Sequence, residues 1–76
     1  MNKERRRQLE LAEHHIDVAY DLIQDAMDDE QDCLDNTPEN LQESDRYAKM
    51  EEAVDHLSDA LESLSDAKDE LSEAKE

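Results

Sequence analysis

The apolar residues in the second half of the chain recur in alternating steps of three and four. This period, which only Lys68 interrupts, places an apolar seam along one side of an α-helix over about 45–76. The seam consists of Tyr47, Met50, Val54, Leu57, Leu61, Leu64 and Leu71. One long amphipathic helix is therefore predicted for this half.

A second amphipathic helix is predicted over about 3–34, with a turn or cap at 35–44 between the two. Its stripe alternates large residues with alanines and is widened by three more side chains: Leu9, Ala12, Ile16, Ala19, Ile23 and Ala26, with Tyr20, Met27 and Leu34. Two such helices in 76 residues predict a single all-α domain, an antiparallel helical hairpin with coiled-coil-like packing.

The break between the helices carries several local signals. Asn36 is suited to a left-handed position after the first helix, and Thr37 followed by Pro38 is typical of an N-cap and a first helical residue. A short cap turn at Pro38 would carry Leu41 over the open end of the core. The main second helix would then start near Ser44.

Two registers of the hairpin, one heptad apart, fit the apolar pattern equally well. In the first, Ile16 faces Leu64, whereas in the second Arg5 lies near Lys68. Like charges facing each other disfavour the second register. We therefore expect the first.

The first helix also carries a second, partly apolar stripe on another face, formed by Leu11, His15, Val18 and Leu22. One hairpin partner cannot cover both stripes. This predicts either a homodimer that forms a four-helix bundle or a different protein docked on the stripe.

Acidic residues follow the same helical period on the face opposite the seam. In the second helix the row is Glu52, Asp55, Asp59, Glu62, Asp66, Asp69, Glu73 and Glu76, and a shorter row on the first helix includes Glu10, Asp17, Asp21 and Asp28. Solvated helix faces usually mix charge signs, because like-charged neighbours cost roughly 0.2–0.5 kcal/mol each. We expect the acidic rows to bind a basic protein surface, although a purely solubilising role stays open.

The composition narrows the class of partner. The chain has 24 acidic and 8 basic residues and a net charge of −16, which argues against direct contact with nucleic acid or an anionic membrane. No apolar run approaches the roughly 20 residues of a membrane span, and no apolar segment follows the basic residues near the start. The single cysteine, Cys33, fits a reducing compartment, so a cytoplasmic protein is expected.

No catalytic, cofactor-binding or metal-binding residues are predicted. The chain has no glycine for a phosphate loop or a calcium loop. His14 and His15 are adjacent, so they point about 100° apart on a helix and cannot face one ion together. The acidic neighbours of Cys33 would suppress its thiolate, and no base lies at a fixed offset from the serines of the second helix. We therefore expect a protein that is not an enzyme.

The segment NTPENLQESDR at 36–46, followed by KMEEA at 49–53, is similar to small acidic helical-hairpin proteins of Firmicutes and of their phages and mobile elements. That group has no assigned activity, so the resemblance implies a genetic setting and no site residues. In such a setting, acidic mimics of DNA that block restriction, CRISPR or other DNA-binding proteins are a familiar kind of product.

Two functional hypotheses result. The first is an acidic interaction module, in its most specific form a nucleic-acid-mimic inhibitor that binds the basic surface of a nucleic-acid-binding protein such as a restriction or CRISPR effector. The second is a structural or oligomerisation bundle that binds a partner through Leu11, His15, Val18 and Leu22, with acids kept for solubility.

Overall fold

A computed structural model describes residues 1–76 as two long helices that lie antiparallel along a rod of 59 × 15 × 13 Å. Helix α1 spans Lys3–Asp35, a 3-10 turn spans Glu39–Leu41, and helix α2 spans Asp45–Ala74. The all-α helical hairpin is confirmed. Helix α1 extends one residue further than expected, and α2 ends two residues earlier.

Both long helices begin at a polar side chain that caps free backbone N–H groups. Asn2 Oδ1 accepts a hydrogen bond from the Arg5 N–H at 2.8 Å, and Ser44 Oγ accepts one from the Tyr47 N–H at 3.2 Å. Such N-caps contribute about 1 kcal/mol each. The expected start of the second helix near Ser44 is confirmed.

The turn between the helices differs from the sequence prediction. Asn36 has φ −95° and ψ 3°, and no residue of the chain has a positive φ, so the left-handed assignment was wrong. Thr37 is not an N-cap either, because its hydroxyl donates to the Cys33 carbonyl at 2.7 Å and closes the end of α1. Pro38 is extended, with φ −58° and ψ 145°, and precedes the 3-10 turn instead of opening a helix.

The expectation that the cap turn carries Leu41 over the open end of the core was wrong. The Leu41 side chain is 49% exposed, and it lines a broad open depression of about 750 Å³ together with Cys33, Pro38 and Met50. This end of the hairpin therefore stays open to solvent.

The core is a single thin seam between the helices. Only Leu34 and Leu61 are buried, at 7% and 5% exposure, and the other seam residues of α2 are half-buried. Ile16 and Leu64 line one shallow surface pocket together with Tyr20 and Lys68. The first register would place Lys68 opposite residue 12 and Lys75 opposite residue 5, but their ion-pair partners Asp17 and Glu13 lie five and eight residues further along α1. The second register is wrong, because Lys68 bonds Asp17, twelve residues further along α1 than Arg5.

Candidate interaction surfaces

The acidic row of α2 forms an uninterrupted carboxylate surface, called the acidic back below. All eight of its members are exposed: Glu52, Asp55, Asp59, Glu62, Asp66, Asp69, Glu73 and Glu76. The chain has only two ion pairs, and neither involves a residue of this row. Glu76 lies just beyond the end of α2 at Ala74, and from Glu52 to Glu73 the row extends about 32 Å at the helical rise of 1.5 Å per residue. No ion pair within the molecule therefore neutralises its negative charge.

The predicted acidic residues of α1 occupy different environments. Asp17 is ion-paired with Lys68, and Asp28 accepts a hydrogen bond from Gln24 Nε2 at 3.2 Å. Asp21 is exposed and makes no ion pair. The α1 row is thus partly neutralised at Asp17, and the acidic back of α2 is the more continuous surface.

Two lysines of α2 form ion pairs with acidic residues of α1, contacts that the sequence analysis missed. Lys68 Nζ lies 2.6 Å from Asp17 Oδ1, and Lys75 Nζ lies 2.7 Å from Glu13 Oε1. The Lys75–Glu13 contact is an ion pair but not a hydrogen bond, because the buried Glu13 Oε1 has no hydrogen-bond partner. Lys68 and Lys75 continue the heptad series of Tyr47 and Leu61, and that signal could have placed them at the seam.

The Lys68–Asp17 contact makes stability depend on pH in the alkaline range. The hydrogen bond from Lys68 to Asp17 raises the pKa of the lysine above its ordinary 10.5. A lysine with a raised folded-state pKa stabilises the fold fully below its unfolded pKa, and the contribution is lost as pH rises through the folded value. We expect Asp17→Asn to narrow the difference in melting temperature between pH 9 and pH 12 relative to the native chain. An equal alkaline loss in both proteins, measured by circular dichroism, would show that the contact does not contribute.

The second stripe of α1, called the apolar stripe below, is not covered by α2. Leu11, Val18 and Leu22 are 58%, 45% and 65% exposed, and His15 is exposed as well. These are three of the five large apolar residues that the chain leaves exposed, the others being Met1 and Leu41. The apolar stripe therefore offers hydrophobic area that one hairpin leaves in water.

The histidines and the cysteine do not assemble into a reactive cluster. The His14 and His15 rings lie 5.8 Å apart and are tilted by 55°, and no three histidine, cysteine or carboxylate side chains converge as metal ligands would. Cys33 is an exposed free thiol that lines the open depression beside the turn with Glu30 and Arg46. The surfaces with the clearest chemistry are therefore the acidic back and the apolar stripe.

Neither helix contains a segment long and apolar enough to cross a membrane. A comparison with protein families, curated proteins and solved structures gives no match to this chain. A function for this chain is therefore inferred from the acidic back and the apolar stripe.

Proposed function

We propose that this protein is a non-enzymatic, cytoplasmic interaction module whose acidic back binds a basic surface on another protein. In its most specific form it is an inhibitor, encoded by a phage or mobile element, that occupies the nucleic-acid site of a restriction enzyme, a CRISPR effector or a similar protein. The observation that carries the proposal is the exposed row of carboxylates without ion-pair partners, seven along one face of α2 and Glu76 just beyond its end.

The linear charge density of the hairpin supports mimicry of nucleic acid. The net charge of −16 is spread over a rod 59 Å long, which amounts to one net charge per about 3.7 Å. One strand of B-DNA carries a phosphate every 3.4 Å or so along the helix axis, and the duplex one every 1.7 Å or so. The hairpin therefore resembles a single strand in linear charge density, and a basic groove built for phosphates could accept its acidic back.

The rod shape adds to this argument. Carboxylates three or four residues apart on a helix are separated by about 5 Å along its axis, and the helix holds them in fixed positions. A partner groove then gains several ionic contacts without first ordering a flexible acidic chain. This is the advantage of a helical acidic surface over a disordered acidic tail.

The proposal is tested by affinity capture from host lysate with three baits. One bait is the native chain, and the second carries Asp55→Asn, Asp59→Asn, Glu62→Gln, Asp66→Asn and Asp69→Asn. The third is a matched control that neutralises five acids around the turn instead: Asp29, Asp32, Asp35, Glu39 and Glu43. Both variants have the same net charge of −11, because five of the sixteen excess negative charges are removed.

We expect a nucleic-acid-binding protein to be captured by the native and control baits, lost from the acidic-back variant, and released by salt or by competing nucleic acid. Salt should release it because charge-driven contacts are screened within about 10 Å at 0.1 M ionic strength. If all three baits capture the same proteins, the acidic back serves only solubility.

A second candidate function is favoured by the exposure of the apolar stripe. Leu11 and Leu22 are more than half exposed, so a partner could bind there while the acids only keep the chain in solution. A partner held by apolar contacts should survive a rise in salt, whereas a partner on the acidic back should not.

A further inference from the structure

The apolar stripe has a spacing that reads the same in both directions. Its members lie four, three and four residues apart: Leu11, His15, Val18 and Leu22. If a second α1 lies antiparallel on this face, a two-fold axis pairs Leu11 with the partner's Leu22 and His15 with the partner's Val18. A surface that complements its own rotated copy is the requirement for a symmetric dimer.

The charges of α1 are arranged for the same geometry. Residues 3–7 contain four basic residues and one acid, a net charge of +3, and residues 25–32 contain five acids and no base. The antiparallel pairing that aligns the apolar stripe also places the basic segment of each copy beside the acidic segment of the other. A parallel pairing would instead bring together like charges at both ends.

We propose that two hairpins associate through the apolar stripe in an antiparallel homodimer, with the basic start of each α1 beside the acidic end of its partner's α1. The acidic back faces away from α1 and so remains outside this interface. The overall charge of −16 per chain opposes association, and the two local attractions at the ends of the interface offset part of that repulsion. A basic partner on the acidic back is not required for this dimer, so the two proposals can fail separately.

Sedimentation equilibrium tests the dimer. At high micromolar concentration we expect a mass near twice the chain mass of 8.8 kDa. Leu22→Ser should raise the dimer dissociation constant at least tenfold or so, because the symmetry removes the contact twice. Leu41→Ser is the matched control, because Leu41 is also exposed but lies outside the proposed interface. The dimer dissociation constant of this variant should equal that of the native chain.

Both variants should keep the native circular dichroism, since these side chains are largely in water within each hairpin. A single-chain mass for the native protein, or a dimer that Leu22→Ser leaves unchanged, would overturn the proposal.

Charge reversal tests the antiparallel arrangement. Arg7 sits beside the stripe on the same flank as Asp25 and Asp28, which the dimer brings within its reach from the partner. Arg7→Glu alone, or Asp25→Lys with Asp28→Lys, should raise the dissociation constant by about three- to tenfold. Combining all three changes should restore it toward the native value.

The controls change net charge equally at positions on α2: Lys49→Glu for the first variant and Asp55→Lys with Asp59→Lys for the second. If each control raised the dimer dissociation constant as much as its matched variant, the antiparallel arrangement would be contradicted. A combined variant whose dissociation constant is not restored would contradict it as well.

The only cysteine of the chain gives a direct distance. Cys33 is exposed near one end of α1, about 16 residues from the two-fold axis, so two copies of it lie on the order of 50 Å apart along an antiparallel pair. Spin labels on Cys33 should report this long distance by pulsed electron resonance. A separation near 10 Å, the spacing of packed helices, would show a parallel dimer and refute the proposal.

Discussion

Leu61→Ala is expected to lower the free energy of unfolding by about 2–5 kcal/mol, the range for removing a buried leucine side chain. Leu61 is 5% exposed and is one of only two buried residues in the chain. Small single-core domains rarely exceed roughly 3–5 kcal/mol of stability. The variant should therefore lose much of its helical circular dichroism at room temperature.

Leu41→Ala provides the comparison, because Leu41 is an equally large side chain that is 49% exposed. Its loss should change the unfolding free energy by less than about 1 kcal/mol. Urea denaturation of the three proteins measures both effects. A Leu61→Ala variant that loses no more than Leu41→Ala would mean that the seam does not hold the hairpin together.

The seam of α2 could be predicted because its information is local. An apolar residue every 3.5 positions fixes which side of a helix turns toward a partner, whatever that partner is. Tyr47, Val54, Leu57 and Leu71 are all half-buried in the structure, as their heptad positions predict. The same reasoning predicted that α2 could not cover the apolar stripe of α1, and Leu22 is indeed 65% exposed.

The turn could not be predicted to the same extent, because several local solutions compete there. A helix that ends at asparagine can satisfy its last carbonyls with a left-handed residue or with a side-chain donor. Here the Thr37 hydroxyl bonds the Cys33 carbonyl, and the Thr37 N–H bonds the Leu34 carbonyl at 3.1 Å. Asn36 can then remain at φ −95°. Residue preferences alone do not choose between these solutions.

The lysines of the seam show how a polar residue can be misread as an interruption. Lys68 looks like a gap in an apolar series, yet its long side chain lies along the helix interface and reaches Asp17 on α1. The missing step was to ask which acids the favoured register brings near it. In that register the position opposite Lys68 is residue 12, and Glu13 and Asp17 lie one and five residues further along α1.

The apolar stripe and the acidic back each lower the stability of the single hairpin, for different physical reasons. The apolar stripe costs exposed hydrophobic area in the single hairpin, which association with a second copy would remove. The acidic back costs electrostatic repulsion that no ion pair within the chain relieves. Both are features that a hairpin selected for stability alone would lack.

Neutralising the centre of the acidic back should therefore stabilise the protein. The variant with Asp55→Asn, Asp59→Asn, Glu62→Gln, Asp66→Asn and Asp69→Asn removes six like-charged neighbour contacts along the row. At roughly 0.2–0.5 kcal/mol each, the free energy of unfolding should rise by about 1–3 kcal/mol at low salt. Urea denaturation at several salt concentrations measures this gain.

The gain should shrink as salt rises, since screening relieves the same repulsion in the native chain. A variant that is more stable and has also lost its basic partner would show that the acidic back is kept for binding at a cost in stability. A variant no more stable than the native chain at low salt would remove this argument, because a row without cost needs no function to explain it.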